Sequence, residues 1–134
     1  MTSWLIDKSA LARMGSARDA ELWFSRVERG LVQIATPTLL EVGYSALNRV
    51  DWESKLRRPP VHLMPLAILT PRAEARALDV QAELATHGQH RAPSVADLLI
   101  AVIAEEWGLT VLHVDKDFEM IAKITGQPVE RLAL

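Results

Sequence analysis

The chain has 134 residues, 49% hydrophobic and 24% charged, with a formal net charge of −2. One domain spanning 1–134 is expected, too short for two cores and too apolar to remain disordered. The absence of cysteine excludes disulfides, thiolate catalysis and Cys-ligated zinc or iron–sulfur centres, and the slightly acidic balance does not advertise general nucleic-acid affinity.

The first residues read as a strand, Trp4–Ile6, closed by Asp7. An acid this early, with no basic stretch before it, does not suit a signal peptide. Ser9–Met14 reads as a helical turn stopped by Gly15, and Asp19 is placed to cap a helix running to Arg29 with Leu22, Trp23 and Val27 on one face. Leu31–Ala35 is β-like and ends at Pro37. Thr38 then caps Leu39–Asn48, with Leu40, Tyr44 and Leu47 in one stripe. A short helix, Asp51–Arg58, is cut off by Pro59-Pro60. Val61–Leu69 holds a third strand, broken or edged by Pro65.

Thr70, with Pro71 at the first helical position, starts an amphipathic helix to about Thr86, and a loop follows to His90. Ser94 caps the most apolar helix, Val95–Trp107, which Gly108 ends. Leu109–Val114 is the clearest central strand, a near-continuous apolar run of the kind buried on both faces of a parallel sheet. A helix over Asp117–Thr125, terminated by Gly126, and a last strand over Val129–Leu132 complete the chain. Strands alternating with helices give an α/β fold: three layers, α/β/α, around a five-stranded, mostly parallel sheet. No segment reaches the roughly 18 apolar residues needed to span a bilayer, so no membrane association is expected.

Four carboxylates stand where such a sheet gathers its loops. Asp7 and Asp115 close strands, while Glu41 and Asp97 fall in the first turns of two helices. Strand C-termini and the helix starts that follow them share one rim, where ligands bind. Each acid has a simpler explanation alone. Thr38-x-x-Glu41 and Ser94-x-x-Asp97 both match a capping box, Asp7 can start a turn, and Asp115 and Asp117 can cap the helix after them. Together they make a repulsive cluster that must be protonated or hold a cation. Oxygen ligands with open positions suit magnesium or manganese, hard ions that keep several waters.

The motifs around these acids resemble the PIN-domain family. Leu5-Ile6-Asp7-Lys8-Ser9-Ala10-Leu11 is similar to its first motif and Thr36-Pro37-Thr38-Leu39-Leu40-Glu41-Val42 to its second. Ser94-Val95-Ala96-Asp97-Leu98-Leu99-Ile100-Ala101 resembles the third and His113-Val114-Asp115-Lys116-Asp117-Phe118 the fourth. The match runs from position 5 to about 121, and within the family it looks most like the VapC-type toxins. Lys8 stands where a small hydroxyl residue is common, and His113 where Thr or Ser is frequent.

The resemblance implies a metal-dependent endoribonuclease with Mg2+, or Mn2+, held by Asp7, Glu41, Asp97 and Asp115, and with Ser9 and Asp117 supporting them. It also implies a cytoplasmic protein paired with a cognate small antitoxin, forming a homodimer and a larger toxin–antitoxin assembly. Arg13 and Arg91 flank the first and third motifs and could reach an RNA phosphate; solubilising surface arginines are their plainer explanation. Tyr44, Leu47 and Trp52 lie where VapC-like proteins form the antitoxin groove; core packing is their plainer explanation. His62, His87, His90 and His113 lack ligand spacing and read as structural or solvent-facing. A non-catalytic partner-binding module that keeps its acids only as helix caps is the alternative. A phosphatase or phosphoreceiver is disfavoured, since Asp7-Lys8-Ser9 lacks a second Asp.

Overall fold

The computed structural model describes residues 1–134. Five strands form its sheet: β1 (Trp4–Ile6), β2 (Val32–Ala35), β3 (Leu66–Ala67), β4 (Thr110–His113) and β5 (Val129–Arg131). Seven α-helices alternate with them: α1 (Lys8–Leu11), α2 (Ala20–Glu28), α3 (Thr36–Tyr44), α4 (Arg49–Leu56), α5 (Pro71–Thr86), α6 (Val95–Trp107) and α7 (Lys116–Thr125). The strand order is β3-β2-β1-β4-β5, and every pairing is parallel rather than most of them. Each strand is therefore reached through a crossover that carries helix, as parallel pairing demands.

Side chains alternate across the sheet and build a core on each face. Trp4, Ile6, Val32, Ile34 and Leu112 pack on one side against Ala10, Met14, Trp23 and Val27. Leu5, Ala35 and Val111 point the other way, onto Ile100, Ile103 and Ala104 of α6 and Phe118 of α7. A third cluster joins α5, α6 and α7 through Val80, Leu84, Leu98, Val102 and Ile121. The helix α6 is thus buried on nearly every side along its middle, which explains the unbroken apolar run from Leu98 to Ala104. Gly108 ends it in the left-handed region, at φ 66°, where its missing Cβ avoids strain.

Several boundaries differ from the expectation. The helix α3 begins at Thr36, because Pro37 fits a first helical turn better than it ends a strand. Thr38 is therefore inside the helix and fully buried, with no hydrogen-bond partner for its hydroxyl, and it caps nothing. The third strand shrinks to Leu66–Ala67, because Val61–Leu63 winds into a 3-10 turn after the proline pair. Gly15 lies within another such turn, Met14–Ser16, rather than stopping a helix. Asp19 makes no capping bond, whereas Asn48 caps α4 by accepting from the Asp51 N–H at 2.9 Å.

Ile103 sits at the seam of sheet and α6 with no exposed surface. Ile103→Ala should lower unfolding free energy by about 2–5 kcal/mol through lost burial and the cavity left behind, read from urea denaturation.

Candidate functional site

The strand order reverses at the middle of the sheet. From β1 the chain moves outward to β2 and β3, then returns to lay down β4 and β5 on the other side. At such a switch point the loops leaving the two central strands diverge, opening a crevice beyond their C-terminal ends. Asp7 follows β1 directly and Asp115 follows β4 by two residues, so both project at this crevice. The carboxylates of Asp7, Glu41, Asp97, Asp115 and Asp117 line one cavity of about 480 Å³ there, together with Lys8, Ser9, Arg13 and Ser94.

Asp7 is buried and caps α1. Its Oδ2 accepts the Ser9 backbone N–H at 3.0 Å and the Ser9 hydroxyl at 2.6 Å. The same hydroxyl accepts the Val114 N–H at 3.0 Å, which ties the end of β4 to the start of α1. One oxygen of Asp7 is thereby fixed, and its other oxygen is left for a ligand. The Ser9 hydroxyl is itself committed at both its donor and its acceptor side.

Asp97 makes the expected capping box with Ser94: its Oδ2 accepts the Ser94 N–H at 3.1 Å, and its own N–H reaches the Ser94 hydroxyl at 3.1 Å. Capping does not exhaust it. Burial, reinforced by the charges of Asp7 and Asp115, pushes its pKa up to about 6 in spite of those hydrogen bonds. Asp115 caps α7, its Oδ1 accepting the Asp117 N–H at 2.9 Å. Burial, then the neighbouring Asp115, raises Asp117. Glu41 lies in the middle of α3, so the capping box expected with Thr38 does not form. Burial and the charge of Asp7 raise its pKa, against an opposing pull from Lys8.

No ion pair joins this group, although Lys8 and Arg13 stand at the cavity wall. The ion pairs of the molecule, Arg49–Glu53, Lys55–Asp51, Arg76–Glu105 and Arg131–Glu119, all lie elsewhere. One oxygen each from Asp97, Asp115 and Asp117 falls within 4.8 Å of the other two, while Asp7 and Glu41 face the same cavity from around this trio. A set of hard carboxylate oxygens with unrelieved repulsion fits a divalent cation of the magnesium or manganese kind.

The other candidate residues separate. Arg13 is exposed at the cavity wall, whereas Arg91 is exposed and stands outside its lining. His62, His87 and His90 are exposed, but His113 is fully buried beside Phe118, and its Nδ1 accepts the Asp115 N–H at 3.1 Å. Burial lowers its pKa, which keeps the ring neutral and suited to that acceptor role. Lys8, noted in the sequence only as a departure, proves to face the cavity. Tyr44 and Leu47 are 92% and 88% exposed, and Leu40 and Val50 extend the same apolar surface. Trp52 instead lies against α3: a Cβ on Gly43 would stand 2.6 Å from its Nε1, so only glycine admits the indole there.

The chain matches the family model of the PIN domain over residues 5–124. It is 57% identical over 129 residues to Ribonuclease VapC2 of Mycobacterium tuberculosis, covering 96% of this chain and 92% of that protein. It is 39% identical over 132 residues to Ribonuclease VapC21 of the same species, covering 96% and 93%. Among solved structures, the DNA-bound VapBC of Salmonella typhimurium superposes with a TM-score of 0.77 at 20% identity, over 98% of both chains. The DNA-bound VapBC2 of Rickettsia felis gives 0.77 at 15% identity, over 97% of this chain and 98% of that one. These last two likenesses speak to the fold.

The raised pKa of Asp97 has a consequence for stability. A carboxyl whose folded pKa lies above its unfolded value opposes folding when ionised, so this penalty is full above pH 6 and relieved as pH falls toward 4. In EDTA, Asp97→Asn should therefore melt higher than the native protein at pH 7.5, and the gap should close by pH 4. Thermal melts of both proteins across that range provide the check.

Proposed function

The chain belongs to the PIN domain family, and from that premise we propose that it is a metal-dependent endoribonuclease serving as the toxin of a toxin–antitoxin pair. The observation that carries this reading is the group of carboxylates at the β1/β4 switch point with no ion-pair partner. Relatives covering nearly the whole chain bear the name ribonuclease, which supports RNA as the substrate class.

Asp7, Glu41, Asp97 and Asp115 are the residues that would hold Mg2+, with Mn2+ as the close substitute, and Asp117 stands near enough to join them. Such an ion, when bound, lowers the pKa of a water and offsets charge growing on a phosphate. The chain's own part is positional. Ser9 and the capping box with Ser94 each fix one carboxylate oxygen, and His113 holds the backbone at Asp115. The Ser9 hydroxyl is doubly engaged and His113 is sealed in the core, which supports water as the attacking group. Arg13 at the cavity wall is placed to receive a backbone phosphate, with Arg91 further out.

The non-catalytic alternative explains Asp97 and Asp115 as caps but leaves Glu41, mid-helix and capping nothing, without a role. The partner we infer is a small antitoxin, in a complex built on a toxin homodimer in the cytoplasm. The exposed surface of Leu40, Tyr44, Leu47 and Val50 is the place for its apolar residues. Trp52 contributes by holding α4 against α3.

Purified Asp7→Asn and Asp97→Asn should each lose on the order of 100-fold or more in Mg2+-dependent RNA cleavage while remaining folded, because the ligand set is broken. Full activity in both variants would overturn the assignment, and loss of fold would return the acids to a capping role. Leu47→Glu should weaken the antitoxin complex by at least ~2 kcal/mol, measured by titration calorimetry, with RNA cleavage by the free toxin unchanged.

A further inference from the structure

Two cavities meet at Lys8 and Ala12. One is the acidic crevice. The other is a cleft of about 340 Å³ between α1, α3 and α4, lined by Leu11, Val42, Pro60 and Val61 together with Lys8 and Lys55. Lys8 enters no ion pair, although its charge is felt at Glu41. Lys55 is steadied by Asp51 at 3.2 Å and by the Ser45 carbonyl at 3.4 Å, and its side chain stays 39% exposed. Neither the carboxylate group nor the apolar surface around Tyr44 accounts for this second cleft.

The acidic crevice sets a requirement that the cleft meets. A phosphodiester strand is repelled by clustered carboxylates, so the energy that holds it must come from residues beside them. A single-stranded nucleotide offers an apolar base face and an anionic phosphate, and proteins take these on apolar platforms and basic side chains. The cleft provides both, opens into the crevice, and has a volume at the lower end of the roughly 300–1,000 Å³ found for small-ligand sites. That size suits one splayed nucleotide. We propose that this cleft is a nucleotide subsite for single-stranded RNA, in which the nucleotide beside the scissile phosphate lays its base against Leu11, Val42 and Pro60 and its phosphate on Lys8 and Lys55.

This rests on the ribonuclease reading, and the test separates the two. Fluorescein-labelled single-stranded RNA hexamers are titrated against the full-length Asp97→Asn protein in EDTA, with anisotropy read at several KCl concentrations. Adding Lys55→Met should weaken binding about 3- to 10-fold and reduce the slope of log Kd against log salt by about 0.7, the value of one phosphate contact on a single strand. Lys55→Arg should keep both affinity and slope. One abasic position along the hexamer should cost on the order of 5- to 100-fold, with the others costing little. In the otherwise native chain, Lys55→Met should leave Mn2+ affinity by calorimetry unchanged. An unaltered affinity and slope in Lys55→Met, with the native protein still cleaving RNA, would overturn the subsite alone. So would a Lys55→Met that binds RNA normally but loses the antitoxin, since the cleft would then belong to a protein partner. Failure of the native protein to bind or cleave any RNA would overturn both readings together.

Discussion

Mutual repulsion among carboxylates held close in poorly solvated surroundings is the constraint around which this molecule is arranged. The side chains of Asp97, Asp115 and Asp117 bring oxygens within 4.8 Å of one another, with Asp7 and Glu41 at the same cavity. In open water such groups would drift apart or stay screened. Here burial itself, with the charges of Asp7 and Asp115 adding to it, pushes Asp97 up to about 6. A fold that keeps this arrangement without pairing it to Arg or Lys gives up stability in the cation-free state, a pattern typical of functional sites.

The scaffold contains that repulsion by making each acid locally useful. Asp7 caps α1, Asp97 completes a capping box on α6, and Asp115 caps α7, so three charges sit at positive helix ends. Each cap occupies one oxygen and fixes the rotamer, so local folding energy orients the cavity. The Ser9 hydroxyl links Asp7 to the backbone of Val114, so the two central strands cannot separate at the rim without breaking it. Capping and ligand binding are therefore two uses of one geometry. The capping motif in the sequence was a true signal for Asp97 and an incomplete description of its role.

The fold was legible in the sequence wherever burial was two-sided. The strands β1 and β4 and the helix α6 carry near-continuous apolar runs that match a parallel sheet and its covering helix, and their bounds were read within a residue or so. Legibility failed where proline allowed two readings. Pro37 looked like a strand terminator but opens α3, and this places Glu41 mid-helix with no capping partner. The prolines at 59, 60 and 65 left only Leu66–Ala67 as strand. Among site residues, spacing and topology brought the acids to one rim on paper, because strand ends and helix starts share it. The place of Lys8 was not readable, since nothing in its neighbours tells whether a long side chain folds toward a cavity or into solvent. Trp52 was ambiguous for a related reason: only the structure shows that it packs on Gly43 while staying half-buried.

The electrostatics that make the crevice receptive to a divalent ion also divide labour across this face. A polyanionic strand gains nothing from approaching bare carboxylates, and the basic residues on this face, Arg13, Lys8 and Lys55 of the neighbouring cleft, stand at the edge of the acidic field rather than within it. A guanidinium brought by a protein partner has the opposite relation to the site. It is attracted by the same unpaired charges and can donate to two carboxylate oxygens at once. An antitoxin that docks on the exposed apolar face of α3 and α4 and extends one basic side chain into the crevice would thus occupy the cation's place while relieving the repulsion the fold otherwise bears. Inhibition by such a partner would stabilise the toxin by the same interaction that silences it, because both follow from cancelling one cluster of charge.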